Sequence, residues 1–324
     1  MAKRLVPVIL DMTERSIEHL KQMQSWSLEL KIRVAQTRIM EWYKEYDGKV
    51  YVSFSGGKDS TVLLDLVRRC FPDVPAVFVD TGLEYPEIKE FAKSFDNVEI
   101  IRPKKTFRQV IEEFGYPVVS KEIAGKIYYY RKNPEKYSKY WDGEHTGKYG
   151  RRYSIDKWKD LRDSDIPVSS RCCDTMKKSP AKIYEHATGR KPFIATMACE
   201  GSMRTQKWLQ QGCNAFNALR PTSQPMSFWT EQDVLEYIHR FNLPICSVYG
   251  SVEFDGDKYR TTKCQRTGCI FCLFGAHLEK EPTRLQLLHE SHPDLWEYCL
   301  KPVERGGLVN KKYVILLELN IEWE

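Results

Sequence analysis

Apolar positions recur at mixed three- and four-residue steps between Thr13 and Tyr46, among them Ile17, Leu20, Met23, Leu28, Ile39 and Trp42, and Asp47-Gly48 supplies a stop. This period predicts one long helix, read as a packing arm rather than a catalytic element. The pattern then changes. Lys49 to Phe54 (KVYVSF) is a short β-rich run that ends in glycines, and Thr61 to Cys70 (TVLLDLVRRC) returns to helical spacing. Pro75 to Asp80 predicts a second strand, Tyr85 to Phe95 a second helix and Val98 to Arg102 a third strand. Pro192 to Met197 predicts a further strand and Thr230 to Phe241 a helix with Thr230 as its cap, whereas residues 250–277 are polar and turn-rich. Such alternation predicts an α/β fold built on a doubly wound, mostly parallel sheet. Along the chain it divides into a helical arm (1–48), an α/β domain (49–250) and a cysteine-rich extension (251–324). Ligands of these sheets sit at the carboxyl ends of the strands, where Ser55 to Ser60 and Asp80-Thr81-Gly82 fall.

Composition narrows the class. A chain of 324 residues, 42% hydrophobic and 12% aromatic, can bury a sizeable core. No run approaches the roughly 18 consecutive apolar residues of a membrane span. The short run Leu5 to Leu10 is broken by Pro7 and no small-residue cleavage site follows it. A cytoplasmic protein with no membrane role is expected, in which the ten cysteines serve as metal ligands, reactive groups or core filler rather than disulfides. The sequence leaves the oligomeric state open, a dimer included.

Charge is concentrated. Residues 126–159 hold ten Lys or Arg against four acids, an excess equal to the formal net charge of the whole chain, +6. Nine aromatics interleave with those cations (Tyr128, Tyr129, Tyr130, Tyr137, Tyr140, Trp141, Tyr149, Tyr153 and Trp158). Cations mixed with stacking platforms suit a nucleic-acid surface, so an RNA or DNA acceptor is one expectation. The other is an insertion whose aromatics pack inward while its lysines are solvated.

The sharpest chemistry is at Ser55-Gly56-Gly57-Lys58-Asp59-Ser60. Two glycines after a buried strand let backbone N–H groups approach an anion, and the helix start behind them adds partial positive charge. Lys58 offers an ammonium and Ser55 and Ser60 offer hydroxyls. The spacing is not that of a Walker loop. An ordinary glycine turn is the bland alternative.

This loop resembles, residue for residue, the SGGKDS loop of N-type ATP pyrophosphatases, the PP-loop or adenine-nucleotide α-hydrolase superfamily. Within it the chain resembles the phosphoadenosine phosphosulfate (PAPS) reductase family. Phe78-Val79-Asp80-Thr81-Gly82 is similar to that family's VDTG strand end, and Pro225 to Val234 (PMSFWTEQDV), then Asn242-Leu243-Pro244 and Tyr249-Gly250, to its P-x-x-x-W-T-x-x-D-V block. The resemblance spans about Lys49 to Cys272. It implies that Ser55, Gly56, Gly57, Lys58, Asp59 and Ser60 hold the phosphates of ATP, with Asp80, Thr81 and Gly82 nearby. Glu200 to Arg204 looks like the family's glycine-arginine segment, which implies Arg204 as an anion contact, a surface arginine being the alternative. Gln206-Lys207 follow where the family has Glu-Ser. Lys58, Asp59, Asp80 and Arg204 are the residues expected to carry catalysis.

Cys172-Cys173 and Cys269-Ile270-Phe271-Cys272 resemble the CC and CxxC halves of the 4Fe-4S site in adenylylsulfate reductases and iron-sulfur sulfurtransferases of the superfamily. Four thiolates are what such a cluster requires. Cys172-Cys173 is expected to open a helix and Gly268-Cys269 to sit in a turn, with Arg171, Lys177 and Lys178 favouring ionised sulfur. A zinc site from Cys264, Cys269, Cys272 and His277 is the competing reading. Cys70 and Cys246 read as buried filler, and Cys199 as a thiol close to the nucleotide.

Sulfonucleotide reductases carry a nucleophilic cysteine in a C-terminal Glu-Cys-Gly-x-His motif, which the ending Leu317 to Glu324 lacks, and they commonly lack the lysine-bearing loop. The intact loop joined to cluster cysteines resembles instead the thiolation enzymes, which implies ATP with Mg2+, adenylation of an acceptor, release of PPi, and sulfur from a thiol or sulfur donor protein. Reduction of a sulfonucleotide, and nucleotide binding without turnover, are the alternative functions.

Overall fold

The computed structural model describes residues 15–141 and 155–308. Expectations that fall on Met1 to Asp11, on Lys148, Tyr149, Arg151, Arg152 and Tyr153, and on Leu317 to Glu324 lie outside the described residues. In chain order the first elements are α1 (Ile17–Gln24), α2 (Leu28–Glu45), β1 (Val50–Phe54), α3 (Lys58–Cys70), β2 (Ala76–Val79), α4 (Pro86–Lys93) and β3 (Val98–Ile101). Then come α5 (Phe107–Phe114), β4 (Val118–Val119), α6 (Lys121–Lys132), α7 (Pro134–Tyr137), α8 (Lys159–Asp163), α9 (Ser179–Thr188), β5 (Lys191–Phe193) and α10 (Ser202–Gln211). The last are β6 (Asn214–Ala215), β7 (Thr222–Ser223), α11 (Glu231–Arg240), β8 (Val252–Phe254), β9 (Tyr259–Thr261), β10 (Leu273–Phe274), α12 (Arg284–Ser291) and α13 (Pro293–Leu300).

The principal sheet has the order β3-β2-β1-β5-β7-β6. β1 pairs in parallel with β2, Phe54 opposite Phe78, and with β5, Val52 opposite Phe193, and only the β6–β7 pair is antiparallel among the registers described. The strand order runs outward from β1 in one direction and then in the other. Right-handed crossovers in opposite directions place helices on opposite faces, so the expected doubly wound α/β architecture is what forms.

Proximity divides the chain into two interleaved units: 1–78, 86–100 and 184–266 in one, 79–85, 101–183 and 267–324 in the other. The divisions at 48 and 250 follow order along the chain, whereas these units are assembled from separated segments. The first unit contains nearly all of the principal sheet, with Val50, Val52, Val62, Leu63, Leu66 and Trp42 fully buried. In it α3 packs on β1, α2 and α11. The second unit has its own core, in which Phe107, Val110, Val118, Ile127, Trp141 and Phe271 are buried, and a two-stranded parallel pairing of β10 with β4.

Two elements differ from the sequence pattern for identifiable reasons. The arm is two helices, because Ser27 caps α2 by accepting from Leu30 N and breaks the run at Ser25 to Ser27. The strand expected over Pro192 to Met197 stops at Phe193: Thr196 N turns back to Ile194 O, and Met197 N is taken by the Glu200 carboxylate. The Thr230 cap forms as expected, reciprocated by Asp233 in a capping box. Asp233 also accepts from Lys31 Nζ of α2 with both oxygens at 2.7 Å, and Lys31 is only 2% exposed. One carboxylate therefore closes α11 and docks the arm.

Candidate functional site

In the first unit, β1 delivers the chain into Ser55-Gly56-Gly57 and α3 begins at Lys58. Gly56 has φ +70°, and a Cβ there would meet Ile88 Cγ2 at 2.8 Å and Ile88 O at 3.0 Å, so glycine is required by both conformation and space. Gly57 caps α3 without any side chain, leaving the first-turn N–H groups open to an anion. Ser60 holds the loop in shape: its Oγ accepts from Ser55 N at 3.2 Å, donates to Gly57 O at 2.8 Å and lies 3.0 Å from Ser55 Oγ. Ser60 is thus committed to the loop, while Ser55 remains exposed.

Lys58 is not on the surface. It is 4% exposed; its Nζ donates to Gln265 O at 2.7 Å and pairs with Glu231 Oε1 at 2.9 Å, 5.8 Å from the centre of the Tyr249 ring. Asp59 has a buried Oδ1 without a hydrogen-bond partner. Burial pushes its carboxyl pKa up, Lys58 pulls it down, and Glu231, Arg266 and Arg204 act more weakly. An orphaned carboxylate oxygen next to a phosphate loop is a donor set that fits Mg2+. Arg204, on α10, is partly exposed and paired with Glu200. Its guanidinium pKa is lowered first by burial and then by the neighbouring charge of Arg266. Cys199 is exposed in this unit, with Sγ 3.4 Å from Trp229 O. Cys264 also belongs here, its Sγ donating to Arg266 O at 2.8 Å.

The second unit holds Asp80-Thr81-Gly82 and the four cysteines. Asp80, 6% exposed, accepts from Arg102 Nε at 3.1 Å and its N–H donates to Ile101 O. Gly82 has φ +73°. The carboxylate of Glu84 accepts from Thr81 N at 3.1 Å and Thr81 Oγ1 at 2.8 Å, and pairs with Lys177 at 3.5 Å. Leu83 O accepts from Ile270 N at 2.7 Å. Backbone and side chain together fasten this turn to the CxxC segment, which no spacing in the sequence indicates.

Cys172, Cys173, Cys269 and Cys272 line one pocket with Leu83, Phe107, Pro117, Met176, Lys177 and Phe271. Cys173 caps the π-helical turn Asp174–Lys178 that leads into α9, and Cys272 N donates to Cys269 O in the opposing turn. The two neighbouring sulfurs are 4.0 Å apart. The thiol of Cys173 is driven down by the hydrogen bond from Cys172, with Lys121 and Lys177 adding to it against the cost of burial. Cys172 is correspondingly pushed up. Burial raises Cys269 to about 11, countered by Lys177. Of the cations expected to favour ionised sulfur, only Lys177 does so. Lys178 pairs with Asp174 and Arg171 lies over the Phe114 ring, while Lys121 is a contributor the sequence pattern missed.

Four thiols around one largely apolar pocket fit a 4Fe-4S cluster. Among the described residues no three His, Cys, Asp or Glu side chains converge as they would on a single metal ion. In the zinc alternative, Cys264 is bonded to Arg266 O and His277 stands edge-on to Trp158.

The basic aromatic segment is partly structural. Arg131 donates to the carbonyls of Leu161, Arg162, Ser164 and Ile166, Trp141 is fully buried, and Arg162 lies over both Tyr130 and Trp141. Tyr129 and Tyr137 stack at 5.6 Å on the outer side, with Lys132 over Tyr128 and Lys136 over Tyr137. No helix among the described residues is long and apolar enough to cross a membrane.

Residues 49–141 match the phosphoadenosine phosphosulfate reductase domain. An adenosine 5'-phosphosulfate reductase of Geobacillus kaustophilus is 24% identical over 64% of this chain and 70% of its own length. An uncharacterized protein of Methanocaldococcus jannaschii is 32% identical over 36% of this chain, and the match spans 28% of that relative's length. Among solved structures, the phosphoadenylyl-sulfate reductase of Candida auris superimposes with a TM-score of 0.38 at 14% identity, covering 76% of this chain and 98% of that one.

Proposed function

The chain belongs to the phosphoadenosine phosphosulfate reductase family of PP-loop proteins, and from that premise we propose that it is an ATP-dependent sulfurtransferase that forms AMP and PPi. The observation that carries this reading is Lys58, a lysine retained at the open start of α3 where a departing pyrophosphate needs a cation. In the proposed reaction an acceptor oxygen attacks the α-phosphorus of ATP, the bond to the β-phosphate breaks, and PPi leaves with the electron pair. Sulfur then displaces AMP from the activated acceptor. An oxygen is a poor leaving group until it carries AMP, so adenylation must come first. The loop N–H groups and Lys58 bind and orient the phosphates, Arg204 neutralises charge, and Asp59 and Ser55 supply oxygens to Mg2+. Cys172, Cys173, Cys269 and Cys272 would hold a 4Fe-4S cluster, which supplies a site for sulfur or an electron. An RNA or DNA acceptor is part of the proposal, supported by the outward Tyr129–Tyr137 stack and its lysines.

A second reading, reduction of adenosine 5'-phosphosulfate or PAPS, is favoured by the names of the relatives that match most of the α/β region. One experiment separates the two. Anaerobically prepared protein is offered ATP, adenosine 5'-phosphosulfate and PAPS in turn, with a thiol reductant. AMP and PPi from ATP support the sulfurtransferase; sulfite from either sulfonucleotide, with no PPi from ATP, replaces it with the reductase.

A further inference from the structure

The segment that follows β9 is pinned along the phosphate loop. Lys263 N donates to Tyr249 O at 3.1 Å, Cys264 N to Val248 O at 3.2 Å, and Thr261 Oγ1 to Cys264 O at 3.0 Å. The next carbonyl, Gln265 O, receives Lys58 Nζ at 2.7 Å, and the one after, Arg266 O, receives Cys264 Sγ. The backbone from 263 to 266 is therefore fixed, and Arg266 is set one residue beyond the atom that Lys58 touches.

The cations of this site are not equally occupied. Lys58 has Glu231 and Arg204 has Glu200. Arg266 is exposed and has no carboxylate within ion-pair distance among the described residues. Its charge is nevertheless felt at Asp59, Cys199 and Arg204. Two guanidinium groups within each other's field repel, and an anion between them relieves that cost while accepting the paired N–H donors that each presents. The open N–H groups of α3 with Lys58 form one anion position; Arg204 with Arg266 form another.

We propose that Arg266 is a specificity-determining residue that binds, together with Arg204, the phosphate or sulfate group of the nucleotide beyond its first phosphate. The inference rests on the reading of Ser55 to Ser60 as an adenine-nucleotide site and deepens it: a nucleotide with two or more anionic groups fills both positions, whereas AMP fills one. An ammonium in place of the guanidinium keeps the charge and loses the two-pronged geometry.

The test is calorimetric binding of AMP, ADP, ATP and adenosine 5'-phosphosulfate to the full chain and to Arg266→Ala, Arg266→Lys and Lys58→Ala. Arg266→Ala is expected to weaken ADP and ATP by about tenfold to hundredfold, the range for a hydrogen-bonded charge, with AMP unchanged within about twofold. Arg266→Lys should recover part of the loss, and the phosphosulfate shows whether sulfate is read as phosphate is. If Arg266→Ala binds every nucleotide as the parent does, or loses AMP and ATP by the same factor, the inference falls. Should Lys58→Ala lose ATP in that same series, the loop assignment stands without it. A parent chain that binds no adenine nucleotide removes both.

Discussion

Lys58 joins two demands that oppose each other. Its side chain is buried, yet its ammonium must be available to an incoming phosphate. The structure reconciles them through its partners, a neutral peptide carbonyl and a carboxylate that is itself 41% exposed. A phosphate oxygen competes well with the carbonyl, because hydrogen bonds between two charged groups are the stronger kind. Lys58→Ala is expected to lower PPi release by about a hundredfold or more. Its cost to stability in urea should stay near 1–2 kcal/mol, since Glu231 keeps access to water. An unchanged rate would remove the loop from the chemistry. The identity of Lys58 was legible in SGGKDS, but its burial was not: the groups that cover it, Gln265 and Glu231, are far away in sequence. Arg266, Glu84 and Lys121 stayed hidden for the same reason, being ordinary charged residues until the fold sets them beside a motif.

At the scale of elements, α11 carries more than a helix cap. Thr230→Ala removes one capping oxygen and should cost about 1 kcal/mol. Lys31→Met removes the partner of a buried carboxylate and should cost about 3–5 kcal/mol, much of which the double variant Lys31→Met with Asp233→Leu should restore. Equal costs for the two single variants, measured from urea midpoints, would contradict the role given to Asp233. The cap was readable because it is local; the ion pair joins α2 to α11 and leaves no local trace. The two cysteine segments behave likewise. The helix after Cys173 and the turn at Cys269 followed from local pattern, but their convergence on one pocket was implied only by resemblance. Replacing Cys172, Cys173, Cys269 or Cys272 singly by Ser should abolish the brown colour of anaerobically purified protein, and Cys264→Ser should keep it. Loss of bound zinc on Cys264 or His277 substitution would reverse that assignment.

At the scale of the whole molecule, each unit contains one kind of chemistry: the phosphate loop with Lys58, Arg204 and Arg266 in the first, the thiol pocket with the Asp80–Gly82 turn in the second. The strand and helix alternation was enough for the α/β class and for the order of the first three strands. It could not show that the units interleave, because the chain crosses between them at turns such as 79–85 that look like ordinary strand ends. Both the sulfurtransferase and the reductase reading depend on the four cysteines holding iron and sulfide. The most direct measurement is therefore the metal and acid-labile sulfide content of the anaerobically purified full chain. About four irons and four sulfides per chain are expected for one 4Fe-4S cluster; one zinc per chain with no iron would contradict the account.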